Sequence, residues 1–163
     1  MSADTSNEKA SPRAEALQEY YFLQGEIGRF DQISHGVKRW SITVCFALIA
    51  AGFYRQTAWL FLVSALAAVM FWITEAQWKK YQQILILRIQ NIEEYLKSGP
   101  VELYTGPRIN DHFYSTLEDP GYGWKYSVKL LRLGNVYLPH ALIFLFALLV
   151  LVLCVFGHVE ASF

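Results

Sequence analysis

Few residues in this chain have both the type and the spacing to do chemistry. Asp111 and His112 stand side by side in "NDHFY", a pairing that could serve acid/base work, with the carboxylate steering the imidazole. No nucleophile or metal-ligand pattern accompanies them, and adjacent polar residues in a loop are more often turn chemistry, the preferred reading here. The second candidate is electrostatic. Lys125, Lys129 and Arg132 share one helical face by spacing, with no acid between them, and Arg108 stands in the loop before them. Cations beside a membrane usually meet anionic headgroups, and that reading leads. The functional alternative is a phosphate-bearing ligand held by these four cations, with Tyr122 or Trp124 as an aromatic platform.

Familiar catalytic signatures do not occur: no GxSxG, Walker A loop, HExxH or GxGxxG. An enzyme is therefore not expected, nor a cofactor. Cys45 and Cys154 both lie in apolar runs, without CxxC or Cys/His spacing, so neither a disulfide framework nor a zinc site is expected.

The elements that must position these residues are written in the hydropathy. Of the 163 residues 54% are hydrophobic and only 17% charged, a balance that points to a membrane rather than to a soluble domain. Fourteen Lys/Arg against fourteen Asp/Glu leave no global charge to argue for nucleic acid. Three apolar segments stand out: Trp40–Tyr54, Thr57–Thr74 and Val136–Gly157. The first two are separated only by Arg55 and Gln56 and read as a helical hairpin, slightly short for a bilayer but edged by Trp40, Tyr54, Trp59 and Trp72. The third is long enough by itself, with Pro139 expected in its first turn. None of the three carries a charge, which argues against a proton relay or a carrier built on buried ion pairs. His140 reads as an interfacial, satisfied histidine.

Lys38, Arg39, Lys79, Lys80, Lys125, Lys129 and Arg132 flank the spans on one side, whereas the hairpin tip has only Arg55. The positive-inside rule places the N-terminus and residues 75–135 in the cytoplasm and "HVEASF" outside. No secretory signal is expected, because the first thirty residues lack an apolar core.

On the expected cytoplasmic side two helices carry greasy stripes. Leu17, Tyr20, Leu23, Ile27, Phe30 and Ile33 recur at helical spacing, as do Tyr81, Leu85, Ile89, Ile92 and Leu96. Pairing of the two stripes is preferred over binding a separate partner, since unpaired apolar faces are costly. Residues from Lys97 to Trp124, rich in Gly, Pro, Asn and Asp, read as an ordered loop whose Tyr104, Phe113, Tyr114, Tyr122 and Trp124 rest at the membrane interface or line a shallow pocket. A short amphipathic helix follows from Trp124 to about Leu133. Small residues at four-residue spacing, Ala47 with Ala51 and Ser64 with Ala68, allow close helix contact within the hairpin or between subunits.

The expected architecture is an all-α integral membrane protein with three transmembrane helices, cytoplasmic helical extensions and an ordered loop, homo-oligomeric. Its parts are a flexible tail (1–13), a cytoplasmic helix (14–37), the hairpin (38–74), a cytoplasmic helix, loop and amphipathic helix (75–135), the third span (136–157) and an external tail (158–163).

This order, from the hairpin "KRWSITVCFALIAAGFYRQTAWLFLVSALAAVMFWITEAQWKK" to the helix "LILRIQNIEEYL", resembles small bacterial membrane effectors of antiphage defence, over residues 14–97. It looks like the SLATT-type class of proposed pore-formers, from whose two-span pattern the third span departs. In layout it also resembles the membrane effector of the Hailong defence system, a channel restrained by a short DNA-like oligonucleotide made by a partner nucleotidyltransferase. The resemblance implies an oligomeric effector of the bacterial inner membrane that forms or gates an ion channel, with a nucleotide or oligonucleotide as ligand and membrane lipid and copies of itself as partners. It carries over no site residue. The alternative is a non-conducting membrane scaffold or accessory subunit that recruits a cytoplasmic partner.

Overall fold

The computed structural model describes residues 11–99, 104 and 106–157. The expected tail over residues 1–10 and the external tail over 158–163 lie outside them. Among the described residues five α-helices follow in order: α1 (Pro12–Arg55), α2 (Trp59–Ser98), α3 (Ile109–Glu118), α4 (Trp124–Leu131) and α5 (Gly134–Val155), with a 3₁₀ turn, Pro120–Tyr122, between α3 and α4. No strand is found among the described residues. Three helices, α1, α2 and α5, are long and apolar enough to cross a membrane.

The dominant feature is the length of the first two helices. At 1.5 Å per residue, the 44 residues of α1 and the 40 of α2 extend about 66 Å and about 60 Å. Each is about twice as long as the roughly 30 Å of a bilayer's hydrocarbon. Helix α1 runs unbroken through residues 37 and 38, from its polar start into its apolar end. Nothing stops it there, because "SHGVKRW" contains no proline and a single glycine costs only about 1 kcal/mol in a helix. The helix also starts two residues earlier than expected, where the Ser11 side chain accepts from the Ala14 amide and Pro12 occupies the first turn.

The hairpin turns on Gln56, whose left-handed backbone (φ 50°) caps α1 while the Thr57 amide donates to the Gly52 carbonyl at 3.0 Å. Just inside the turn, α1 and α2 approach so closely that a β-carbon on Gly52 would lie 2.7 Å from the Phe61 ring. Deeper in the apolar half, the Ser64 hydroxyl donates to the Cys45 carbonyl at 3.1 Å and the Cys45 thiol to the Ser64 carbonyl at 3.6 Å. Ser64 and Ala68 are buried in this hairpin contact, whereas Ala47 is exposed. Helix α5 completes the apolar half by packing Ala147, Val150 and Cys154 against Ile49, Ala58, Phe61 and Ala65.

In the polar half the two stripes meet. Leu23 from α1 and Leu85, Ile89 and Ile92 from α2 are buried together, with Tyr20, Ile27, Phe30 and Leu96 at the margin. Leu17 and Ile33 stay outside that core, and Ala16 is inside in their place. The expected loop is largely structured. Residues Ile109–Glu118 form α3, which docks Ile109 and Phe113 onto the stripe core. Asp119 caps the 3₁₀ turn by accepting from the Gly121 amide at 2.7 Å. Helix α4 ends at Leu131, and α5 begins at Gly134, two residues before the expected span. Pro139 consequently falls in the second turn of α5 rather than the first, where its missing N–H deprives the Asn135 carbonyl of its helical donor.

Candidate functional site

The residues expected to hold a phosphate do not converge. Arg108 opens onto a groove of about 500 Å³ lined by Phe22, Pro107, Ile109, Asn110 and Asp111. An adjoining groove shares Phe22, Pro107 and Ile109 and adds Glu15, Gln18 and Glu19. Asp111 shares the groove with Arg108 and Glu15 lines the adjoining one, so carboxylates with no cation of their own among the described residues offset the single guanidinium and weaken any hold on a phosphate. Trp124 is 77% exposed and lines a different crevice, with Ile73, Ala76, Gln77, Ser127 and Leu131. Tyr122 packs edge-on to Tyr126 at 4.9 Å between ring centres. Lys125, Lys129 and Arg132 are exposed, without an ion pair among the described residues. They form a cationic face on α4 close to the start of α5, separate from the Arg108 groove.

Asp111 and His112 occupy the first turn of α3, not a loop, and point to different surroundings: Asp111 is exposed and lines the groove, while His112 is partly buried with its Nε2 unpartnered. Burial holds the His112 imidazole below the ordinary histidine value, and the Arg88 guanidinium adds to the shift.

Arg88 belongs to the first of two polar clusters inside the molecule. Its guanidinium grips Glu19 with two bonds of 2.8 and 3.0 Å, donates to the Gly106 carbonyl at 3.1 Å, and lies 5.7 Å from the centre of the Tyr104 ring. Tyr104 stacks on Tyr95 at 5.2 Å, and burial followed by the nearby Glu19 raises its hydroxyl above the ordinary range. About two to three turns nearer the membrane segments, Lys79 joins Asp31 at 3.0 Å and Gln82 at 2.7 Å, and hydrogen bonds from Gln82 and Lys79 lower the Asp31 carboxyl.

The second cluster sits where the polar half becomes apolar. Glu75 is wholly buried and receives donors on both oxygens. Ser34 donates to Oε1 at 2.8 Å, Lys38 pairs with the same oxygen at 3.0 Å, and His140 Nε2 lies 2.9 Å from Oε2. The other ring nitrogen of His140, Nδ1, is 2.9 Å from the Ser41 hydroxyl. An ionised carboxylate only accepts, so the nitrogen facing it carries the hydrogen. In the neutral ring, Nδ1 is then left to accept from Ser41. Every member is satisfied, and three helices contribute: Ser34, Lys38 and Ser41 from α1, Glu75 from α2 and His140 from α5.

Sequence reasoning placed Glu75 one residue beyond an uncharged span and His140 near the end of another. The signal was present in two places. Ser34, Lys38 and Ser41 recur at i, i+4 and i+7, a polar stripe on one face of a helix that is turning apolar, and Glu75 follows eighteen uncharged residues without a break in helical pattern. What the sequence could not supply was the partner on α5, sixty-five positions away.

Among the described residues no group of three metal-binding side chains is present. Comparison with protein-family models, with curated proteins and with solved structures finds no match for this chain.

Proposed function

We propose that this chain is the subunit of a homo-oligomeric effector of the bacterial inner membrane that forms or gates an ion pathway. In this reading the N-terminus and the polar half are cytoplasmic, the C-terminus is external, and the polar half is a regulatory cap. The resemblance to antiphage-defence effectors supplies the setting: control by a nucleotide or oligonucleotide from a partner nucleotidyltransferase.

The observation that carries the reading is the continuity of α1 and α2 from cap to span. A rigid helix transmits a displacement at one end to the other, so a ligand that moves the cap tilts the membrane segments without any further linkage. The apolar half of one subunit is filled by Ile49, Phe61, Ala65, Ala147 and Val150, which leaves a conduit to form only between copies. The cations of α4, exposed beside the start of α5, suit either lipid headgroup phosphates or the phosphates of a ligand.

A scaffold that recruits a partner finds its own support in Tyr21 and Phe22, two large aromatic side chains exposed side by side on the polar half of α1. The mass of the purified protein in lipid nanodiscs separates the two. An assembly of several copies is the expected result, and a single copy at every lipid-to-protein ratio contradicts the pore.

A further inference from the structure

Helix α5 is tied to the α1–α2 hairpin by side-chain hydrogen bonds at one point among the described residues, the His140 ring, which bonds Glu75 of α2 and Ser41 of α1. That ring directly follows Pro139, where the helix already lacks a backbone hydrogen bond. The α5 residues in the two apolar cores, Ile143, Ala147, Val150 and Cys154, meet the hairpin through non-polar packing. A pin of this kind, with a titratable ring at its centre, has a defined response to protons.

The charges at the pin sum to zero when the ring is neutral: Lys38 is positive, Glu75 negative. A proton added at either His140 or Glu75 makes the sum +1. Both of those side chains are fully buried, and Lys38 is 21% exposed at its side chain, so the surplus charge has little water to meet. The groups facing the cluster offer no remedy. On α1 and α2 the next ionic pair, Asp31 with Lys79, is already matched. Below Ser41 on α1 comes the buried Cys45 thiol, and from α4 the titratable side chain turned toward the neighbouring Ala76–Val136 packing is the Tyr126 phenol. None supplies a compensating negative charge at acid pH.

The polar chain also ends early. Past Ser41 it reaches Cys45 and Ser64, which bond each other's carbonyls, and then meets Ile49 and Phe61. It is not a through path for protons within one subunit.

We propose that the Lys38–Glu75–His140–Ser41 cluster is a proton-binding site that pins α5 against the hairpin and releases it on acidification. The proposal goes beyond the channel reading and does not depend on it, because its readout is a distance within one subunit.

The test uses the full chain in nanodiscs of phosphatidylcholine and phosphatidylglycerol, with Cys45→Ala and Cys154→Ala and spin labels at Thr43→Cys and Leu145→Cys, both exposed positions. The protein is diluted with unlabelled chain so that each pair lies within one copy. On lowering the pH from about 8 to about 5, the range in which histidine titrates, the distance between labels is expected to lengthen and to recover on return. His140→Gln, whose amide can donate to Glu75 and accept from Ser41 but does not titrate there, is expected to hold the distance constant. Lys38→Met starts the cluster at −1, so added protons neutralise it and the same acidification is expected to shorten the distance. An unchanged distance in the otherwise native cluster, or the same lengthening in all three proteins, overturns the proposal.

Discussion

At the scale of single residues, two carboxylates are committed to the interior, and their surroundings differ in a way that matters for stability. Among the described residues Glu19 has one ionic partner, Arg88, in bidentate geometry with both side chains buried. Removing that partner leaves an uncompensated charge, a loss that typically amounts to about 3–5 kcal/mol. Arg88→Met should therefore lower the thermal unfolding midpoint of the detergent-solubilised protein sharply. Adding Glu19→Leu should recover most of the loss, because a buried pair replaced by apolar side chains of similar size is often neutral. If the single variant unfolds at the native temperature, Glu19 is not confined as described. Glu75 shares its charge among Ser34, Lys38 and His140, so no single deletion strips it bare.

At the scale of elements, α3 depends on a neutral histidine. His112 sits beside the Ile84 carbonyl and near Arg88, and burial lowers its proton affinity in the docked state. A group whose folded value is depressed contributes docking energy above its unfolded value, near 6.5, and loses it as the pH falls through the folded value. Amide protection over residues 109–118, corrected for intrinsic exchange, is accordingly expected to drop on acidification below the ordinary histidine range. It should become much less pH-dependent in His112→Phe, and equal pH dependence in both proteins would contradict this account. The same helix shows where sequence reasoning stops. The stripes of α1 and α2 were legible because each repeats over many turns, and their pairing follows from the hairpin. Helix α3 has ten residues, none of them fully buried, and meets the stripe core through the partly buried Ile109 and Phe113, too few repeats to stand out beside its Gly- and Pro-rich flanks. In α1 the change from polar to apolar composition near residues 37 and 38 brings no helix stop, because it comes without a proline or a cap. The His140–Glu75–Lys38 site was illegible because it is assembled from three helices, and periodicity speaks only of one helix at a time.

At the scale of the whole molecule, the structure has two cores in series, one between the stripes in the polar half and one among α1, α2 and α5 in the apolar half. Helices α1 and α2 are common to both, and the buried Glu75 cluster lies between them. In the proposed effector this arrangement turns the polar half into a lever on the membrane half, and assembly of several copies supplies the conduit that one filled subunit lacks. The most direct test is the membrane potential of bacteria, followed with a voltage-sensitive dye after induced expression of this chain by itself, beside cells expressing a chain that lacks the polar half of α1. The account predicts rapid depolarisation by the full-length chain and none by the shortened one. Cells that keep their potential while the full-length protein is present in their membranes would contradict it.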